Sequence, residues 1–286
     1  MEASAAEPDW LAACGRIVAG LQAMLAAHPS TSERAVVVGR GEGGDGTLVI
    51  DQAAEELIFA ELEQLHAAGA NFTAISEERG EVAFGGGPLR VVIDPIDGSM
   101  NAKRGLRPYA VSIAVADGPT MADVAFAFVC DLGSGEVWSA IRGAGARLDG
   151  VLLSVGDGDG VGGERRTAQG RLEIVAIESA HPRRIVESTA ALVEVAHRIR
   201  VLGSMALALC QLAAARVDGM ATLGPCRSVD VAAGQLIVRE SGGLVAFTAC
   251  EDPLAAPLDL VSRSPVIAAR TAAGLAELAT LPSSMS

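Results

Sequence analysis

At 286 residues, half of them apolar, the chain is long enough to bury one large core or two smaller ones. A formal charge of -13 argues against nucleic acid and anionic membrane surfaces as partners, and it suits divalent cations. Five cysteines scattered singly, with no C-x-x-C pair, argue against a disulfide framework and a zinc site, and the acidic start Met1 to Glu7 lacks a secretory pattern, so a cytoplasmic location is expected.

In chain order, Trp10, Leu11, Cys14, Ile17, Val18, Leu21 and Leu25 recur at helical spacing and predict a helix between Pro8 and His28. A strand-like run, Ala35 to Val38, and a glycine-rich connection precede a second helical pattern from Asp51 to His66, with Asp51 expected as its N-cap. Strands follow at Phe72 to Ile75, Val91 to Ile93, Tyr109 to Ala116, Met121 to Val129 and Glu136 to Ala140, with a hairpin around Asp117-Gly118-Pro119-Thr120. The first half therefore predicts two helices on a largely antiparallel sheet. The polar, glycine-rich run Gly156 to Arg166 cannot bury apolar surface and places a domain boundary, giving an α+β unit at 1–160 and an α/β unit at 161–286. In the latter, strands at Glu173 to Ile177, Ile199 to Leu202 and Met220 to Leu223 alternate with helices at Arg183 to His197, Met205 to Val217 and Val229 to Ser241. The longest apolar stretch, Met205 to Ala215, is broken by Gln211, so no membrane helix is expected.

The chemistry concentrates in Val91-Val92-Ile93-Asp94-Pro95-Ile96-Asp97-Gly98-Ser99, where a buried-strand pattern ends in two carboxylates, a rigid proline, a permissive glycine and a hydroxyl. Two further acidic groups stand in comparable places. Glu77-Glu78 ends the apolar run Phe72 to Ile75, and Asp230 opens an apolar helix beside the positive end of its dipole. Hard cations such as Mg2+ take oxygen ligands, and a pair of ions needs about this many carboxylates. Each motif alone has an ordinary reading, as a turn, a solvated strand end or a helix cap. Their combination points to a metal and phosphate site.

In order and spacing these residues resemble the inositol monophosphatase family, within the fructose-1,6-bisphosphatase-like superfamily. The matching motifs are Glu77-Glu78, Asp94 to Ser99, Asp230 to Gly234 and Glu240-Ser241-Gly242-Gly243. Lesser matches are Asp51 with Glu55, Gly143 to Ala146 with Asp149-Gly150, and Gly203-Ser204. Gly44-Asp45-Gly46-Thr47 and Arg227-Ser228-Val229-Asp230 resemble the archaeal-type branch that combines inositol monophosphatase and fructose-1,6-bisphosphatase activity. The resemblance implies an α+β chain folded as a layered α-β-α-β-α sandwich. It implies a Mg2+-dependent phosphatase of small phosphorylated sugars or polyols, working as a homodimer with two or three ions per site. By position, Glu77, Asp94 and the Ile96 carbonyl would hold one ion, and Asp94, Asp97 and Asp230 a second, while Glu77 also helps with a third. Gly98 and Ser99 N–H groups would receive phosphate, and the Ser99 hydroxyl and Asp51 would orient the attacking water.

Departures from the family pattern are Val229 in place of tryptophan and Ala102 in place of an aromatic residue. Thr222, Leu223 and Gly224 stand where animal-type enzymes carry a glutamate for inositol, which leaves substrate choice open among inositol 1-phosphate, fructose 1,6-bisphosphate, 3'-phosphoadenosine 5'-phosphate and histidinol phosphate. Lys103, Arg104, Arg200 and Arg227 form a basic set suited to a second phosphate. Competing motifs are weaker: Gly43 to Thr47 matches a short kinase motif, Gly41-x-Gly43-x-x-Gly46 lacks a βαβ context, and an EF-hand from Asp94 fails at Ile96 and Gly105. A reading from another class is a regulatory protein that retains the fold and acts by binding a partner.

Overall fold

The structure, a computed structural model, describes residues 8–40, 42, 46–153 and 163–282. The predicted acidic start, most of the Gly43 to Thr47 motif, and all but residues 163–166 of the glycine-rich boundary segment lie outside them. The described helices are α1 (Trp10–Ala27), α2 (Thr31–Arg34), α3 (Val49–Ala67), α4 (Ser99–Arg104), α5 (Pro182–Val195), α6 (Met205–Ala213), α7 (Ser228–Glu240) and α8 (Ala272–Leu278). The strands are β1 (Val37–Arg40), β2 (Gly46–Leu48), β3 (Phe72–Ser76), β4 (Gly80–Asp97), β5 (Ala110–Ala116), β6 (Val124–Asp131), β7 (Val137–Ile141), β8 (Gly145–Leu148), β9 (Val151–Leu152), β10 (Leu172–Glu178), β11 (Ala196–Arg200), β12 (Gly219–Thr222), β13 (Leu244–Phe247) and β14 (Val266–Ala269).

Three apolar clusters define the layering. In the first, the stripe Trp10, Cys14, Ile17, Leu21 and Leu25 of α1 packs with Ile50, Ile58 and Leu62 of α3 against one face of a seven-stranded sheet ordered β3-β4-β5-β6-β7-β8-β9. In the second, Val92, Ala114, Ala127 and Trp138 of that sheet's other face meet the apolar sides of α6 and α7, and the cluster continues to Ala176, Met220 and Ala268 of a second sheet. The third places Val175, Ile177 and Ile267 of the second sheet against α5 and α8 through Leu192, Val195 and Leu278. The resulting order is α-β-α-β-α, as the resemblance implies. Because α6 and α7 follow residue 161 yet cover the first sheet, one core is shared by residues from both sides of the predicted boundary.

The first sheet is largely antiparallel, and the Asp117 to Thr120 hairpin joins β5 to β6 as predicted, with Met121–Asp123 forming a single 3-10 turn in place of strand. The strand predicted at Val91 to Ile93 is the centre of the longer β4. This strand bends through Gly85 (φ +75°) and Gly86 (φ +66°), so that Ser76 lies opposite Gly80, while Thr73 to Ser76 also lie alongside Arg90 to Ile93. The second sheet, ordered β11-β10-β12-β14-β13, is parallel from β11 to β12 and antiparallel beyond, and strands β13 and β14 close it from a region the periodicity left unassigned.

Helix α1 is the one described helix long and apolar enough to cross a membrane. Its apolar stripe is buried against α3 and the sheet. Four of the five cysteines are buried, and Cys226, near the site in sequence, donates to the Ser264 carbonyl at 3.2 Å and so serves the core.

Candidate active site

Where β4 ends, at the N-termini of α4, α3 and α7, a cavity of about 430 Å3 opens, lined by Asp51, Glu77, Glu78, Asp94, Ile96, Asp97, Gly98, Ser99, Lys103, Arg227 and Asp230. The layering explains why these distant residues meet. Strands β3 and β4 lie side by side and stop together, so Glu77 stands next to Asp94, and α7, buried between the two sheets, points its first turn at both.

Asp94 is 2% exposed, and its Oδ1 accepts the Ile96 N–H at 3.0 Å in a tight turn around Pro95. Burial, reinforced by Glu77, Asp97 and Asp230, pushes its carboxyl well above the usual range. Asp97 accepts the Ser204 hydroxyl at 2.5 Å and the Ala206 and Met205 N–H groups at 2.7 and 3.3 Å, which joins the turn to the N-terminus of α6. Burial still holds it at about 7 against these donors. Burial likewise raises Glu77 to about 7, opposed by the charge of Arg227.

Asp51 is not the N-cap of α3 but its third residue: the helix begins at Val49, and Asp51 Oδ2 accepts the Leu48 N–H at 3.1 Å. The capping role is thus real but uses one oxygen. Oδ1 is buried without a hydrogen-bond partner, and burial lifts the carboxyl to about 7. A buried acceptor left unmatched is costly unless a ligand completes it, and an oxygen of a residue lining an acidic cavity suits a hard cation as ligand or a water as hydrogen-bond acceptor. The donor set, all oxygen and mostly carboxylate, fits Mg2+.

Gly98 adopts φ +89° at the N-cap of α4, and a Cβ there would lie 2.9 Å from the Gly203 carbonyl oxygen. Glycine is therefore required on two grounds. Ser99 begins the helix, so its N–H has no intrahelical acceptor and faces the cavity end. Gly98→Ala should destabilise the protein by about 1–3 kcal/mol, read as a lower denaturant midpoint, because it combines left-handed strain with the close contact.

Arg200 is a correction. It lies exposed on β11, donates to the Ile199 carbonyl at 2.9 Å, and does not line the cavity, because β11 is the outer strand of the second sheet, on the far side of β10 from the other strands. Arg104 is likewise exposed and absent from the lining, whereas Lys103 and Arg227 line it.

Several residues support the site from outside the predicted ligand set. Glu178 ends the apolar strand β10 as Glu77 follows β3, a parallel the sequence displays. Its carboxylate accepts the Leu202 and Gly203 N–H groups at 2.8 and 3.0 Å, and burial pushes it to about 7. It thereby fixes the turn whose Ser204 holds Asp97. Asn101 donates to the Pro108 and Leu202 carbonyls, both at 2.8 Å, securing α4 to the same turn. Glu55 accepts the Ser76 hydroxyl and the Arg79 N–H, steadying the Glu77-Glu78 corner. Two of the matching motifs meet outside the cavity lining: Glu240 accepts the Gly143 and Gly145 N–H groups at 2.9 and 3.0 Å, a structural clamp.

Comparison with known proteins agrees with the fold. The sequence matches the Inositol monophosphatase family over residues 12–282. A fructose-1,6-bisphosphatase/inositol-1-monophosphatase of Methanothermobacter thermautotrophicus is 31% identical over 247 residues, covering 82% of this chain and 83% of its own. A protein named Nus factor SuhB from Pasteurella multocida is 34% identical over 200 residues, 68% of this chain and 69% of its own. Among solved structures, an inositol monophosphatase-fructose 1,6 bisphosphatase superposes with a TM-score of 0.79 at 23% identity, over 95% of this chain and 98% of that one. With a family match across nearly the whole length, the chain belongs to the inositol monophosphatase family, whose members are phosphatases.

Proposed function

We propose that this phosphatase is Mg2+-dependent and hydrolyses small phosphate monoesters, with inositol 1-phosphate and fructose 1,6-bisphosphate as the leading substrates. The observation that carries the reading is the gathering of Glu77, Asp94, Asp97 and Asp230, with the unpartnered Asp51 Oδ1, around the Gly98-Ser99 turn. In it, Glu77, Asp94, Asp97, Asp230 and the Ile96 carbonyl hold two or three ions. When bound, the ions supply Lewis acidity that activates a water and neutralises charge on phosphate.

The chain's own groups do the rest. Gly98 and Ser99 N–H groups receive phosphate oxygens at the start of α4, where the turn points donors outward. Asp51, through its unmatched Oδ1, and the Ser99 hydroxyl orient the attacking water. Lys103 adds positive charge on the α4 side of the cavity. Arg227, the other member of the basic set that lines the cavity, is engaged by acidic neighbours. The similarity to the bifunctional Methanothermobacter protein supports the two leading substrates, ahead of 3'-phosphoadenosine 5'-phosphate and histidinol phosphate. The reading retains a homodimer and a cytoplasmic location as expectations.

A second reading, a regulatory protein that acts by binding a partner, is favoured by relatives named Nus factor SuhB. Phosphate release measured over the four substrates, with Mg2+ and with chelator, decides between them. Catalysis predicts metal-dependent release that Asp94→Asn abolishes. Equal release from wild type and variant leaves the binding role alone.

A further inference from the structure

Arg227 is the N-cap residue of α7, and its side chain, 12% exposed, reaches into the acidic cluster. Nη1 donates to Glu77 Oε1 at 2.5 Å and Nη2 to Asp230 Oδ1 at 3.0 Å. Its Nε lies 3.4 Å from Asp230 Oδ2, which also accepts the Arg227 backbone N–H at 2.8 Å. Both Asp230 oxygens and one Glu77 oxygen are thereby held by one residue. Among the described residues, no three acidic, histidine or cysteine side chains converge closely enough to ligate an ion as they stand.

An ion bound about 2.1 Å from either shared Asp230 oxygen would lie only about 4 Å from the guanidinium, a strongly repulsive distance in a poorly solvated site. Arg227 and a divalent ion thus compete for the same charge. Arginine suits the role better than lysine, because its planar fork spans two carboxylates at once. The side chain also has somewhere to go: Arg227 borders a second cavity of about 290 Å3, lined by Ser228, Phe247, Cys250, Ser262 and Arg263 among others.

We propose that Arg227 is a resident counter-cation of the Glu77–Asp230 pair, which it holds in register until a divalent ion displaces it, so that metal loading and withdrawal of the guanidinium are one event. The inference rests on the metal-dependent reading above. Its consequence is that the protein trades intrinsic metal affinity for an acidic cluster that stays assembled without metal, since an ion binds only the fraction of molecules in which Arg227 has withdrawn.

The test reads the arginine and the ion separately. Phenylglyoxal labelling of the wild-type protein, followed by mass spectrometry of the peptide containing Arg227, should be several-fold faster at saturating Mg2+ than in chelator. Calorimetric titration of Mg2+ into chelator-stripped protein should show binding about tenfold tighter in Arg227→Gln than in wild type, with Arg227→Lys in between. Bound Mg2+ with labelling unchanged or slowed overturns the displacement, as does an Arg227→Gln variant that folds and binds Mg2+ no more tightly. No calorimetric binding to wild type overturns the metal-dependent reading itself, and this inference with it.

Discussion

Asp94→Asn is expected to lower phosphate release by on the order of a thousandfold, yet to raise the melting temperature of the chelator-treated protein. The two effects have one cause. Asp94 is almost fully buried, receives one hydrogen bond, from the Ile96 N–H, and faces Glu77, Asp97 and Asp230. In the absence of metal its negative charge is costly, both by burial and by repulsion. Asparagine keeps the shape and the Oδ1 acceptor, removes the charge, and finds acceptors for its amide among the neighbouring carboxylates. The gain at pH 8 should be on the order of 1 kcal/mol or more. Asp97→Asn should gain less, because Ser204, Met205 and Ala206 already donate to the charged form of Asp97. Scanning calorimetry of the three proteins in chelator, with release assays on the same preparations, checks both. A melting temperature that falls in Asp94→Asn would show that the carboxylate serves the fold and would remove the argument for a site strained for function.

Elements whose pattern is complete within the element itself were legible in the sequence. The i, i+3, i+4 stripe of α1 describes a helix with one buried face and the uninterrupted Tyr109 to Ala116 run a strand buried on both faces, and both elements lie within two residues of their predicted bounds. Elements defined by long-range pairing were not. Strand β14 is a short buried run, Val266–Ala269, whose place in the sheet depends on β12 and β13, and β4 was read as three residues because its glycine bend breaks the pattern while tertiary pairing with β3 keeps it extended. At the site, the acidic residues were visible because carboxylates at the ends of apolar strands are out of place. What Ser204, Asn101 and Glu178 hold was not legible, since a hydroxyl, an amide or a glutamate that binds backbone has no spacing rule. Their roles exist only once β4, α4, α6 and β10 are brought together. Arg200 failed for the converse reason: charge type was readable, but position on an outer strand was not.

The stability of the chelator-treated protein should fall as pH rises from 5 to 8, opposite to the usual trend for proteins held by salt-bridged carboxylates. Asp51, Glu77, Asp97 and Glu178 are each held at about 7 by burial, and Asp94 is raised well above the usual range by burial and by its acidic neighbours. In the unfolded chain such groups titrate near 4. Between these values the folded protein binds more protons than the unfolded one, so raising the pH favours unfolding. The contribution of each group is fully present below about pH 4 and is lost as pH rises through about 7. Because all of these groups are raised in the same direction, their effects add to a large summed slope even after mutual coupling reduces it. Saturating Mg2+ should flatten that slope and raise the melting temperature most at pH 8, because an ion ligated by ionised carboxylates reverses the preference for the protonated form. Melting curves at half-unit pH steps, with chelator and with Mg2+, measure both arms. A chelated protein that gains stability from pH 5 to 8 would mean that these carboxylates are already compensated within the fold, and the cluster would then have no electrostatic need of a metal.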